Sequence, residues 1–120
     1  MDISSTSHGS VEVVSIPFSK IDARVAINLK SLLKNLINEG KTEIVLDLSE
    51  VDFIDSSGLG VLVTILKRIR PEGDIRLSGV RERVRSLLEL TRLDDFFQIH
   101  VSKNAAVESF KTAEGGKSRL

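Results

Sequence analysis

Apolar residues follow one another along the chain in alternating strand-like and helix-like blocks. Short apolar runs predict strands at 11–16, 43–48, 74–78 and 96–101. Apolar positions that recur every three or four residues predict helices at 23–38, 57–70, 81–90 and 104–111. Strands that alternate with helices form a largely parallel sheet, so the pattern predicts an α/β fold. Because crossovers between parallel strands are right-handed, the helices are expected on one face of the sheet.

Capping residues and the two end segments set the expected limits of the domain. Asp22 is suited to cap the helix at 23–38, and Gly40 is suited to end it. Residues 1–9 and 113–120 carry no apolar periodicity, so we expect a flexible leader and a flexible tail. Residues 10–112 are then expected to form a single domain.

The composition narrows the classes of function. The chain has 120 residues with 17 basic and 17 acidic side chains, so no net charge draws it to nucleic acid or to an anionic membrane. It has no Cys, Trp or Tyr, which excludes disulfides and cysteine metal sites and leaves no broad aromatic platform for bases. No apolar run approaches the about 18 residues of a membrane span, and no secretory signal is recognisable. We therefore expect a cytoplasmic protein without cofactor, membrane insertion or direct nucleic-acid binding.

The most informative segment is DSSGLG at 55–60, which links an apolar run to a predicted helix. Asp and Ser are favoured at helix starts because their oxygens accept the unpaired amide hydrogens of the first turn. The two glycines would let another chain approach the backbone closely. The segment therefore presents two serine hydroxyls at an exposed helix start, where the helix dipole favours a bound or covalently attached phosphate. The pattern alone leaves simple capping by Asp55 or Ser56 open.

Catalysis by these serines is disfavoured. A serine nucleophile needs a base, and the chain has only His8, in the predicted leader, and His100, near the end of the last predicted strand. The glycines follow the serines, so the G-x-S-x-G elbow of serine hydrolases is absent. Two histidines so far apart also make a poor metal site. We expect neither enzymatic activity nor a bound metal.

The DSSGLG segment, together with VLDLS at 45–49 and VDFI at 51–54, resembles the serine motif of STAS-domain anti-sigma-factor antagonists. A second segment, VRSLLELTRLDDFFQI at 84–99, resembles the penultimate helix and last strand of that family. The likeness covers about residues 11–110. It implies a single STAS domain, with an open, mostly parallel β-sheet, helices packed in a β-α superhelix, and the first strand at an edge. Arg92 replaces a family glycine, and a positive φ there would cost arginine about 1 kcal/mol.

The resemblance also implies a function and partners. Ser57 matches the family's phosphorylated serine, and Asp22 aligns with an acidic residue that the family places near the serine loop, although FSKI at 18–21 replaces the usual lead-in. The expected partners are an anti-sigma factor with serine-kinase activity, bound when Ser57 is unphosphorylated, and a serine phosphatase. The alternative is a STAS accessory subunit of a phospholipid-trafficking ABC transporter that uses the same surface for permanent docking.

The expected partner surface follows from the short range of a phosphate charge, about 8 Å in physiological salt. A partner that responds to phosphorylation must lie close to Ser57, against the loop and the outward side of the following helix. The predicted partner-binding residues are Asp55, Ser56, Gly58, Leu59, Thr64, Lys67, Arg68 and Asp22.

Overall fold

The computed structural model describes the backbone of residues 2–118 and the side chains of residues 2–111. The strands are β1 (Ser4–His8), β2 (Val11–Ser15), β3 (Lys20–Ile21), β4 (Glu43–Asp47), β5 (Phe53–Ile54), β6 (Asp74–Ser78) and β7 (Ile99–His100). The helices are α1 (Ala23–Asn38), α2 (Ser56–Ile69), α3 (Glu82–Leu90) and α4 (Lys103–Ser118). The predicted alternation of strands and helices is confirmed.

Five strands form one sheet in the order β1-β2-β4-β6-β7. The pairs β2–β4, β4–β6 and β6–β7 are parallel, and only β1 runs antiparallel to its neighbour. This is the open, mostly parallel α/β sheet that the sequence predicts. A separate two-stranded sheet pairs β3 with β5 in parallel.

Strand β1 lies inside the segment that was expected to be a flexible leader. Its residues pair with β2 along the whole of Ser4–His8, and all five side chains are exposed. A strand without a buried face has no apolar alternation, so periodicity cannot detect it. Because β1 takes the edge of the sheet, the Val11–Ser15 strand lies second rather than at the edge.

The sheet is buried on both faces, and this corrects the expectation that all helices lie on one side. In β4, Ile44 and Leu46 belong to the core shared with α1, α2 and α3, whereas Val45 joins a smaller cluster beneath α4. The handedness rule applies to crossovers between parallel strands. Helix α4 follows the last strand, so it is free to cover the opposite face, where Phe110 packs.

Helix α1 begins and ends where its capping residues predict. The Val25 amide donates to Asp22 Oδ1 over 3.0 Å, which confirms Asp22 as the N-cap. Gly40 has a φ of +81°, and the Lys41 amide donates to the Leu36 carbonyl over 2.9 Å. This is the hydrogen-bond pattern of a Schellman motif, which needs a left-handed residue just after the helix.

The segment after α3 differs from its prediction. Arg92 adopts a φ of +64°, as the replaced glycine implies, and a 3-10 helix over Leu93–Asp95 follows. The strand expected at 96–101 is reduced to Ile99–His100. Phe97 is buried in the main core without belonging to a strand, and an apolar run cannot distinguish these two roles.

The last helix is longer than predicted. It was expected to end at Lys111, before a flexible tail, but its backbone is helical to Ser118. The prediction relied on the lack of core residues after Ala113. A helix pairs its own backbone groups, so a helical backbone does not require a repeating apolar pattern.

Candidate functional site

The short β3–β5 sheet brings the starts of two helices together. Ile21 lies opposite Ile54, and the Asp55 amide donates to the Ile21 carbonyl over 3.1 Å. Asp22 and Asp55, the N-caps of α1 and α2, directly follow these paired residues. Parallel strands end at the same edge, so both helix N-termini open side by side. The proximity of Asp22 to the serine loop, which the family resemblance implies, is present despite the unusual lead-in at 18–21.

The Asp55 carboxylate caps helix α2. Its Oδ1 accepts hydrogen bonds from the Ser57 amide at 2.9 Å and from the Gly58 amide at 3.2 Å. Ser56 and Ser57 occupy the first two helical positions and are both exposed. The capping role therefore belongs to Asp55, and it leaves the Ser57 hydroxyl accessible at the positive end of the helix dipole.

Gly58 is needed for packing within the protein. It is buried, and a Cβ atom there would lie 2.6 Å from Ile54 Cγ2 and 2.8 Å from Ile21 Cγ2. The prediction that this glycine admits another chain, and contacts a partner, is therefore corrected: the space is taken by the protein's own β3 and β5. Gly60 is exposed, and a Cβ atom there would meet nothing within 4 Å.

The outward side of α2 carries the remaining predicted contacts. Thr64, Lys67 and Arg68 are exposed, while Leu59 is half-buried against the core. Thr64 and Arg68 come seven and eleven residues after Ser57, which is about two and about three helical turns, so the three residues share one side. Lys67 lies about a quarter turn away from that line. It faces the segment 93–97, with which it shares a cavity.

Both signs of charge lie near the two helix starts. The hydrogen bond from the Val25 amide holds the pKa of Asp22 below its usual value of 3.8, and the charges of Lys20 and Arg24 act in the same direction. Partial desolvation opposes this shift. The Lys20 ammonium lies 5.6 Å from the centroid of the Phe53 ring, which is 45% exposed. A ligand at this edge therefore meets capped carboxylates, two cations and an aromatic ring.

Strands β3 and β5 and the exposed ring of Phe53 are not predicted from the sequence. Each of these strands has only two residues, which is too short for a periodic pattern. The available signal was a repeat: Lys20-Ile21 and Phe53-Ile54 each pair one exposed residue with a buried isoleucine directly before a capping aspartate. Such a repeat predicts parallel lead-ins to two adjacent helices.

Neither His8 nor His100 belongs to a cluster of potential metal ligands among residues 2–111. Desolvation lowers the pKa of His100, and the Arg76 charge acts in the same direction. The Nε2 atom of His100 lies 3.1 Å from Gln98 Oε1. Within residues 2–111, no group of three His, Cys, Asp or Glu side chains could hold a metal ion.

In the described part of the chain, no helix has both the length and the apolar character of a membrane span.

Comparison with known proteins agrees with this geometry. A family model of the STAS domain matches residues 3–106, a range that includes β1. The chain is 31% identical over 94 residues to BtrV of Bordetella bronchiseptica, a candidate anti-sigma factor antagonist, covering 78% of this chain and 81% of that protein. It is 30% identical over 90 residues to the anti-sigma-B factor antagonist of Staphylococcus aureus, covering 74% of this chain and 82% of that protein.

The fold is also similar to solved structures. A crystal structure of a candidate anti-sigma factor antagonist from Thermotoga maritima has a TM-score of 0.80 at 32% identity, covering 89% of this chain and 92% of that chain. The chain therefore belongs to the STAS domain family. Within that family, the relatives described above are named anti-sigma factor antagonists.

Proposed function

We propose that this STAS protein is an anti-sigma-factor antagonist whose binding is controlled by phosphorylation of Ser57. The names of its relatives support the general function. The observation that carries the finer proposal is the exposed Ser57 hydroxyl in the first turn of α2, in a turn already capped by Asp55. A serine that is not needed as a cap can be modified without undoing the helix start.

In the proposed cycle, the unphosphorylated protein binds an anti-sigma factor with serine-kinase activity, and the sigma factor is released. That partner transfers the γ-phosphoryl group of ATP to Ser57 Oγ, the hydroxyl proton is lost and ADP leaves. Binding then ends until a serine phosphatase hydrolyses the phosphate ester. The proposed contact residues are Asp22, Asp55, Ser56, Leu59, Thr64, Lys67 and Arg68.

The proposed phosphate acts on the interface rather than on the fold. It adds about −1.5 to −2 charges and three acceptor oxygens at pH 7. At the N-terminus of α2 the helix dipole offsets part of that charge, so the helix remains formed. The phosphate field fades over about 8 Å in physiological salt, whereas Arg68 lies about 16 Å from Ser57 along the helix axis. The phosphate therefore acts on the part of the partner that covers the loop itself.

The size of the switch follows from desolvation. A partner that covers the phosphoserine without supplying a cation must strip water from about two charges, which costs several kcal/mol. Each 1.4 kcal/mol lowers affinity by about tenfold, so phosphorylation should weaken binding by about a hundredfold or more.

Substitutions at Ser57 test the proposal. Incubated with ATP and the candidate kinase, the wild-type protein should gain one phosphate at Ser57. Ser57→Ala should stay unmodified and bind constitutively, whereas Ser57→Asp should bind weakly because of its charge. Ser56→Ala is the matched control, and it should still be phosphorylated at Ser57. Mass spectrometry and calorimetry measure both effects.

Two results would contradict the switch. Equal binding by Ser57→Ala and Ser57→Asp would reduce Ser57 to a surface residue of the helix start. Stable copurification with a membrane ATPase, unaffected by either variant, would instead support the accessory-subunit function.

A further inference from the structure

An apolar cavity of about 310 Å³ lies between the second half of α2 and the segment that follows Arg92. Val63 and Leu66 line it from α2, and Leu93, Phe96 and Phe97 line it from the opposite side. Phe97 is buried while Phe96 is 54% exposed, so the cavity has a closed floor and an open rim. Its volume is at the lower end of the range for ligand pockets, about 300–1,000 Å³.

The walls of the cavity are tied together by one arginine. Arg70, just beyond the end of α2, donates from Nε and Nη2 to Asp74 Oδ1 over 3.1 and 3.0 Å. The same Nη2 donates to the Phe96 carbonyl over 2.6 Å. The helix end is thus joined to the opposite wall, so the cavity is formed without a ligand. A preformed site avoids the cost of ordering its walls on binding.

The two cations that line the cavity differ in whether they are already paired. The Arg70 cation is already paired with Asp74, whereas Lys67 also lines the cavity and forms no ion pair with any of residues 2–111. The exposed Lys67 side chain can bury its stem along the apolar wall and keep its ammonium at the rim. Asp94 and Asp95 belong to the neighbouring 3-10 helix but do not line the cavity.

We propose that this cavity binds a small amphipathic carboxylate. Its apolar body would lie on Leu66 and Phe97, and its carboxylate would pair with the Lys67 ammonium. A neutral apolar molecule would leave that cation without a partner, and a cationic one would be repelled. The site lies at the far end of α2 from Ser57, and binding there needs neither a kinase nor a phosphate.

A second apolar surface, formed by Phe53, Leu87 and Leu90, is the alternative binding site for such a ligand. Its cation, Arg83, is already paired with Asp52 at 3.4 Å, so it offers less charge for a carboxylate. This surface therefore serves as an internal reference for non-specific binding of the same probe.

The test is a titration of the full chain with sodium octanoate, followed by methyl-resolved NMR. Saturable shifts are expected at the methyl groups of Val63, Leu66 and Leu93. Lys67→Met keeps an apolar stem without the charge, and it should weaken octanoate binding by about three- to fivefold. The same variant should leave binding of 1-octanol unchanged. Lys34→Met, at an exposed position on α1, is the matched control and should change neither ligand.

A blocking variant completes the test. Val63→Phe should fill the cavity at its half-buried rim and abolish saturable shifts with both probes. The amide spectrum of this variant should show that the protein remains folded. Shifts that appear first at Leu87 and Leu90, or that never saturate, would overturn the site. Equal affinity for octanoate and octanol in the wild-type protein would overturn carboxylate recognition. If neither probe binds but Val63→Phe weakens partner binding, the cavity receives a partner side chain and the proposal is wrong.

Discussion

The first turns of α1 and α2 have the same backbone arrangement but differ in the side chains that they expose. Each helix follows a two-residue strand and begins at an aspartate, whose Oδ1 accepts from Val25 at 3.0 Å in α1 and from Ser57 at 2.9 Å in α2. The second helical position is Arg24 in α1 and Ser57 in α2. A capping aspartate therefore marks a helix start, and the exposed hydroxyl at the second position is one feature that distinguishes the candidate site.

The third helical position separates the two turns further. In α1 it is Val25, which packs its side chain into the main core. In α2 it is Gly58, where the neighbouring Ile21 and Ile54 occupy the room that a side chain would need. The first turn of α1 is thus held by a side chain, whereas the first turn of α2 is held by close backbone approach. The position of Ser57 depends on that approach, so the glycine contributes to the site through packing within the protein.

The largest expected effect tests what the two helices share, their common core. Leu62 is fully buried and Leu66 is 5% exposed, both on the inner side of α2. Leu62→Ala and Leu66→Ala should each lower the free energy of unfolding by about 2 to 5 kcal/mol, because each leaves a cavity. Thr64→Ala, on the outer side, should stay within about 0.5 kcal/mol. Unchanged denaturant midpoints in both leucine variants would refute this packing.

A smaller effect should distinguish the two glycines of α2. Gly58→Ala introduces a Cβ atom 2.6 Å from Ile54 Cγ2 and should destabilise the protein by about 1 to 3 kcal/mol, a typical cost of overpacking. Gly60→Ala meets open space and should stabilise the helix by about 0.5 to 1 kcal/mol. Chemical denaturation of both variants measures the difference. Equal effects would mean that α2 does not need its close approach to β3 and β5.

The features that the sequence predicts well are those with a repeating or local signal. The bounds of α1 and β6 match their predicted ranges, because apolar spacing and residues such as Asp22 and Gly40 mark their ends. The motif at 55–60 predicts the start of α2 and the exposure of Ser57 for the same reason.

The features that the sequence does not predict depend on contacts between distant residues. Strand β1 has no buried face, and the β3–β5 pair is held by Ile21 and Ile54, which are 33 positions apart. The burial of Gly58 follows from that pairing, so it could not be inferred from the motif alone. Helix α4 covers the second face because Val11, Val13 and Val45 are apolar there, and a strand pattern does not say which helix will cover each face.

A more modest effect should separate the outer surfaces of the two helices. Charge reversal at Lys67 or Arg68 on α2 should weaken binding of the anti-sigma partner by about three- to tenfold, because rim charges at interfaces contribute modestly. The same change at Lys30 or Lys34 on α1 should have less effect. Calorimetry and amide exchange of the complex measure this directly. Equal losses on both helices, or a footprint that misses residues 55–68, would contradict the proposed surface.

The smallest effect concerns the charge around the N-cap of α1. The Val25 amide and the cations Lys20 and Arg24 lower the pKa of Asp22 below 3.8, against partial desolvation. A carboxyl group with a lower pKa in the folded state stabilises the protein above its unfolded pKa, and this contribution is lost as the pH falls through the folded value. Arg24→Gln should move the pKa of Asp22 upward because one cation is removed. Lys30→Gln, on a later turn of α1, should leave it unchanged. Carboxyl NMR titration measures both values, and a pKa of Asp22 at or above 3.8 in the wild-type protein would show that this turn lacks the electrostatic support assigned to it.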